Sequence, residues 1–364
     1  MAFDKHNVAD IRSKYEIDFN ADRENREEAL DDMKFRIGQQ WLALDKQKRE
    51  AEGRPTPTIN KMPAFINQVT GDLNQNKPAI RVIANGGGAD KERADIFNGI
   101  IRNVQKRSSG KEPFISAVDA AAGCGIGHFR IIADYPEDNP FHQELEILPV
   151  SNPLAVVWDS NARFIDRSDA QRCTIMTSLQ RTTFLEKYKG ARVDTWTSLD
   201  DNLRYWYPQK DVVNVAEYFE VTKTPTDYAL TVQGHILDLN RLPAFMKYDA
   251  DRGAIVDIIG NVFLIEAIRK GTQKKVKWTK CSGSERLDHG EWVTGEIPII
   301  PVIGGEVHFE DKIYRSSLIR WAKDPQRLFN FWRATQTELM QNAPKAPFLM
   351  GKSQMNGFTD EWSK

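Results

Sequence analysis

The residue types able to carry chemistry are scattered through this 364-residue chain without the spacing that chemistry needs. Six histidines (His6, His128, His142, His235, His289, His308) never fall three or four residues apart, so no two share a helix face as paired metal ligands would. Cys124, Cys173 and Cys281 are odd in number and far apart, which excludes a disulfide framework and zinc spacing. They read as small apolar filler in a reducing compartment. The carboxylates Glu27, Glu28, Asp31 and Asp32 lie beside Arg23 and Arg26 in a polar helical stretch, and read as a solvated face rather than an acid–base pair. GCGIG at Gly123–Gly127 has the glycine density of a nucleotide loop. It follows a helix rather than a strand, lacks a third glycine at the required spacing and has no lysine, so it predicts a tight helix-to-strand turn. No nucleophile elbow, zinc-protease or kinase motif occurs. The expectation is a protein with no cofactor, no metal and no enzymatic activity.

One cluster stands out. RKGTQKKVKWTK places Arg269, Lys270, Lys274, Lys275, Lys277 and Lys280 around Trp278. Such a run is either a solvated hairpin edge, where lysines discourage unwanted strand pairing, or a docking surface for an acidic partner or passing phosphates. No nucleic-acid recognition motif accompanies it. Fifty basic residues against fifty-one acidic ones leave a formal charge of −1, which argues against a protein that grips nucleic acid through phosphates. The balance does not exclude one that surrounds DNA without holding it.

The elements that must position these residues are mixed. Helical spacing runs from Val8 to Arg49, with Ile11, Tyr15 and Phe19, then Met33, Ile37, Trp41 and Leu44. Arg54–Thr58 is an extended linker. A helix with Phe65, Ile66, Val69 and Leu73 follows, then a strand over Ala79–Ala84, a loop at Asn85–Gly88 and a helix from Asp90 to Lys106 with Ile96, Phe97, Ile100, Ile101 and Val104 inward. Phe114–Ala122 is helical. Phe129–Tyr135 and Glu144–Val150 alternate as paired strands about a turn at Pro136–Asn139, and a helix lies near Thr183–Tyr188. Val212–Thr222 is a strand and Asp227–Leu239 a further hairpin. Pro243–Ile259 reads as helix, Phe263–Lys280 as a basic strand, and Trp292 closes a hairpin. The prolines of Ile297–Ile303 forbid a central strand. A last helix begins near Tyr314, breaks and restarts at Asp324-Pro325, and carries the apolar stripe Leu318, Trp321, Ala322, Leu328, Phe329, Trp332 and Leu339. The N-terminus has no apolar core of a secretory signal, and Ala254–Ile268 is too short and polar to span a bilayer. The reading is a soluble α+β protein made in a cytoplasm.

Pro149–Ser178 is a strand, a polar loop holding Asp159, Asp166 and Asp169, and a second strand at Cys173–Met176. Its phrase WDSNARFIDRSDAQRCT resembles a segment of the portal proteins of short-tailed bacteriophages. Three further blocks are similar to such portals in the same order: RPTPTINKMPAFINQVTGDLNQNKPAIRVIA (Arg54–Ala84), VAEYFEV (Val215–Val221) and GEIPIIPVIGGEVHFEDKIYRSSLIRWAKDPQRLFNFW (Gly295–Trp332).

The resemblance implies an α/β wing body over 1–243, a first stem helix over 244–262, a clip over 263–313 and a second stem helix over 314–343. Residues 344–364 would open a tunnel-loop and crown region whose remainder is absent. It implies a homo-oligomeric, dodecameric ring at one capsid vertex of the virion, assembled in the host cytoplasm, through which double-stranded DNA is packaged and ejected without sequence recognition. Its implied partners are the terminase large subunit, the tail adaptor or head-completion protein, and the major capsid and scaffolding proteins; no membrane is involved. The six basic residues from Arg269 to Lys280 would then contact terminase or adaptor from the clip. Arg320, Lys323, Gln326, Arg327, Asn330 and Arg333 would belong to the stem and tunnel. Another head–tail connector ring component, or an enzyme of unknown type, stays open as an alternative at this point.

Overall fold

The computed structural model describes residues 5–76, 80–84, 91–108, 110–135, 141–196, 211–232, 234, 236–242, 245–249, 252–257, 261–292 and 294–342. The expected loop at 85–88, the turn at 136–139 and the segment 344–364 lie outside these residues.

Three helices open the chain: α1 (Lys5–Ala21), α2 (Arg23–Arg36) and α3 (Ala43–Ala51). The four-residue spacing of Ile11, Tyr15 and Phe19 forms α1's inner face, and all three side chains are buried against Val157, Met176, Ala216 and Tyr218. Burial of Ile11 and Phe19 contributes about 1.5–3 kcal/mol each. The second part of the expected stripe is not continuous, because α2 ends at Arg36 and the chain turns through Gly38 at φ +104. Ile37 and Leu44 are left exposed and Phe35 is buried instead.

α4 (Met62–Gln75) buries Met62 and Ile66. Residues 80–84 are extended but join no sheet; Asn98 of α5 (Lys91–Arg107) serves as their partner. Its Oδ1 accepts from the Val82 amide at 2.7 Å and its Nδ2 donates to the Val82 carbonyl at 3.0 Å. α5 turns Ala94 and Asn98 inward, and the expected inward residues Ile96, Phe97 and Ile100 face out.

α6 (Glu112–Cys124) leads into β1 (Ile126–Asp134) and β2 (Glu144–Pro149). The chain continues through β3 (Val156–Trp158), β4 (Arg172–Gln180), α7 (Arg181–Lys187), β5 (Val212–Thr231) and β6 (Ile236–Asp238). It ends with β7 (Met246–Asp249), β8 (Ala254–Asp257), β9 (Val262–Cys281), β10 (Arg286–Glu291), β11 (Ile299–Ile303), β12 (Gly305–Phe309), β13 (Lys312–Ser316) and α8 (Leu318–Asn342). The mixed α+β class matches the sequence reading.

Three sheets organise the strands. The largest has the order β3-β4-β5-β9-β8-β7, with β6 on β5 and β10 on β9. Its spine is the antiparallel pairing of β5 and β9, from Ala216↔Cys281 to Thr231↔Ile265. At about 3.3 Å per residue these 20-residue strands make a ribbon on the order of 60 Å long. In the second sheet, β11-β1-β2, β11 sits at the edge, where Pro298 and Pro301 remove no central ladder bond. β12 and β13 form a separate hairpin, tied to α2 by Asn25, whose Oδ1 accepts from the Arg315 amide and whose Nδ2 donates to the Ile313 carbonyl.

Two expectations change here. Pro243–Ile259 is not a stem helix: β7 and β8 form a hairpin, with Gly253 at φ +55 in its turn and Ala254 and Ile255 fully buried against β9. β-branched Ile255 and Val256 favour that pleat over a helix. Nor does 263–313 form a unit apart from 1–243 in its strand pairing, since β9 joins β5 and β11 joins β1.

α8 also departs from expectation. Tyr314 lies in β13, and the helix begins at Leu318, where Ser317 Oγ accepts from the Arg320 amide at 3.1 Å. The helix runs through Pro325 without a break in its assignment. An internal proline removes one hydrogen bond and costs about 3 kcal/mol, so contacts on both sides must offset it. Arg320 and Lys323 before the proline bind Asp32 of α2; Gln326 and Asn330 after it bind residues 40 and 59.

Candidate functional site

The three cysteines and His128 are locked inside the fold. Burial pushes the Cys124 thiol up to about 11 and the Cys281 thiol up to about 12, and Cys173 rises for the same reason, so none is a nucleophile near neutral pH. His128, on β1, is completely enclosed; Trp158 Nε1–H donates to its Nε2 at 3.1 Å. Burial first, and then the Arg315, Arg26 and Arg167 guanidiniums, push its pKa down to about 3. Among the described residues no cluster of three or more metal-ligating side chains occurs, and no helix is long and apolar enough to cross a membrane.

His128 makes stability pH-dependent with a defined sign. Below its ordinary pKa of about 6.5, the unfolded chain takes up a proton that the folded chain refuses, so stability falls as the pH drops from about 6.5 toward 3. Between pH 7 and 5 the loss is expected to be about 2 kcal/mol, and His128→Gln removes it. Urea unfolding of both proteins at the two pH values checks this; parallel pH dependences contradict it.

GCGIG is the turn that its flanks predict. Gly125 adopts φ +89 as the left-handed C-cap of α6, its amide donating to Ala121 O at 2.9 Å. Gly127 is where β1 crosses α6 backbone to backbone: a Cβ there would lie 1.9 Å from Ala117 O. A phosphate cradle needs open amides, and this turn is filled by its own helix.

The aspartates of Pro149–Ser178 organise their loop. Asp159 is buried and accepts from the Asn161 and Gln171 amides at 3.1 and 3.0 Å, with Arg172 Nη2 at 3.3 Å. Asp169 accepts from the Arg163 amide at 2.6 Å. Ser168, through its amide and hydroxyl, holds the Asp166 carboxyl below the usual carboxylate range. Arg172 reaches back to Asp18 of α1 at 2.6 and 2.7 Å. The loop also flanks a cavity of about 560 Å³ shared with the α1–α2 junction and β13, where Arg23, Arg167 and Arg315 pair with Glu27, Glu306 and Asp22 and Arg163 donates to the Asp311 carbonyl.

The basic run lies along β9. Alternation sends Lys270, Lys274 and Lys280 to one face of the ribbon and Arg269, Lys275 and Lys277 to the other. Register sets Lys277 opposite Glu220, Lys280 opposite Glu217 and Lys270 opposite Asp227. Lys275 reaches Glu291 at 3.7 Å, and Lys280 Nζ lies 5.3 Å from the Trp278 ring centroid. Lys274 instead faces Lys223. Like charges therefore meet at Lys223 and Lys274, while Lys275 and Lys277 have carboxylates beside or opposite them. Residues 265–276 of β9 pair with β5 and with no strand on their other side among the described residues, which makes this stretch an edge.

Lys323, Gln326 and Asn330 are buried and fasten α8 to the rest of the chain. Asp32 is fully buried rather than solvated, and accepts from Ser317 Oγ at 2.8 Å, Lys323 Nζ at 2.7 Å and Arg320 Nη2 at 3.0 Å. One turn further on, an amide network closes. Asn330 Nδ2 donates to Gln40 Oε1 at 2.7 Å and its Oδ1 accepts from the Ile59 amide, while Gln326 Nε2 donates to Ile59 O at 2.6 Å. Gln40 Nε2 donates in turn to Asn60 Oδ1 at 2.8 Å. Arg327 Nε meets Gln40 O at 3.4 Å. Arg333 is exposed, beside Gln336 and over the Phe329 ring.

Sequence reasoning missed Asp32, Gln40 and Asn60 as members of this seat. The available signal was the set Lys323, Gln326 and Asn330, polar residues at helical spacing on one face. The seat brings together two of the portal-like blocks, through Asn60 and Asn330. β4 and β5 bring together the other two, pairing Arg172 with Glu220.

A family described as phage P22-like portal protein matches residues 12–364. The portal protein of Acyrthosiphon pisum secondary endosymbiont phage 1 is 26% identical over 353 residues, which cover 93% of this chain. The chain spans about half (48%) of the length of that curated relative. With the match running over nearly all of its residues, the chain belongs to the phage P22-like portal protein family.

Proposed function

We propose that this chain is the subunit of a closed ring at one capsid vertex, through which double-stranded DNA is packaged and later ejected. The match of residues 12–364 to the portal family carries the reading. The physical features agree with it. A net charge of −1 suits a conduit, because each phosphate neutralised by a fixed cation would add affinity and slow passage. The three cysteines and His128 are buried.

In this reading the edge of β9 around Lys274, Lys275 and Lys277 is the docking surface for the terminase motor and afterwards the tail adaptor, and Arg333 belongs to the stem. The triple charge reversal Lys274→Glu, Lys275→Glu, Lys277→Glu is expected to weaken adaptor binding at least tenfold, about 1.4 kcal/mol, while ring assembly and melting stay as in the wild type. Pull-down and sedimentation of rings with purified adaptor checks this, and undiminished binding rejects the assignment.

A further inference from the structure

The inward face of α8 mixes Lys323, Gln326 and Asn330 with Ile319 and Ala334, and its outward face carries Leu318, Trp321, Leu328, Trp332 and Leu339. With Pro325 and Thr335 these outward residues repeat at alternating steps of three and four, the seam spacing of a helix that packs against a partner. Trp321 is 75% exposed, Trp332 63% and Leu339 68%. Together the five side chains offer on the order of 600 Å² of apolar surface, at the top of the roughly 300–600 Å² of a typical monomer's largest patch and toward the roughly 800 Å² per partner of a standard interface.

We propose that this stripe is a subunit contact, seated on a second copy of the chain; the inference rests on the ring reading. Closure decides what it meets. Two identical stripes facing each other generate a two-fold dimer, whereas a larger ring needs one surface of each copy on a different surface of the next. The stripe must therefore meet a surface of the neighbour other than the same stripe. The chain presents further apolar faces for that role, among them Ile96, Phe97 and Ile100 of α5. A chain with two unlike exposed apolar faces has the parts of a head-to-tail interface.

Trp321→Glu with Trp332→Glu is expected to lower the fraction of chain in rings at least tenfold, at a concentration where wild type assembles. The melting of the unassembled chain should not move, because both side chains point outward. A benzoylphenylalanine photo-crosslinker at position 328 should join two copies, with the second attachment outside the stripe. Wild-type rings with undiminished variant rings would overturn this inference and leave the ring reading standing. So would a cross-link confined to one chain, such as to residues 343–364, or one joining the stripe to the same stripe of a second copy. Absence of rings in the wild type would instead overturn the ring reading itself.

Discussion

Asp32→Ala is expected to destabilise the folded chain by about 3–5 kcal/mol, the range for breaking a buried ion pair from one side. Asp32 has no exposed surface, and its carboxylate receives Ser317, Arg320 and Lys323. Removing it strands the Lys323 ammonium, itself buried, with only the outer carboxylate of Asp31 beside it. Asp31 and the part-exposed Arg320 limit the damage, so the lower end of the range is expected. The effect should localise: α8 loses its seat on α2 on the N-terminal side of Pro325, where the helix can least spare it. Asp32→Asn, which keeps the shape and one acceptor, should cost less. Urea unfolding gives both values, and a loss under about 1 kcal/mol for Asp32→Ala would show that the seat does not hold the helix.

Gly127→Ala is the second large effect, expected at about 3 kcal/mol or more. The clash is with backbone, a new Cβ at 1.9 Å from Ala117 O and 2.7 Å from its carbonyl carbon, so no side-chain rotation relieves it. Either β1 or α6 must shift, and β1 is the central strand of its sheet. The same substitution at Gly99, on α5, meets no atom within 4 Å and should be neutral or slightly stabilising. Equal melting of the two variants would remove the close helix–strand approach from the account.

How far the sequence was legible depended on which physical rule governed each segment. Where one face was apolar and the other polar in the usual sense, periodicity located the element and its orientation, as for α1 and β5. Glycines whose roles are backbone-driven, such as Gly125, were also readable. α5 was located but turned the wrong way round, because periodicity marks an apolar stripe without saying whether the chain's own core covers it. In α8 the buried polar residues have partners some 290 positions earlier, a separation no local pattern reports. The β7–β8 hairpin was misread as helix because its strands are four residues each and β9, which buries them, follows later. The loop aspartates of 149–178 read best through the resemblance, and the structure assigns them to turn amides and arginines.

These threads meet in one claim, that the chain is a ring subunit whose outward apolar faces are covered by its neighbours. Negative-stain microscopy of the purified chain, paired with native mass spectrometry across a concentration series, tests it most directly. The account predicts closed rings with an axial opening, of one dominant subunit number. Particles no larger than a dimer at every concentration would contradict it.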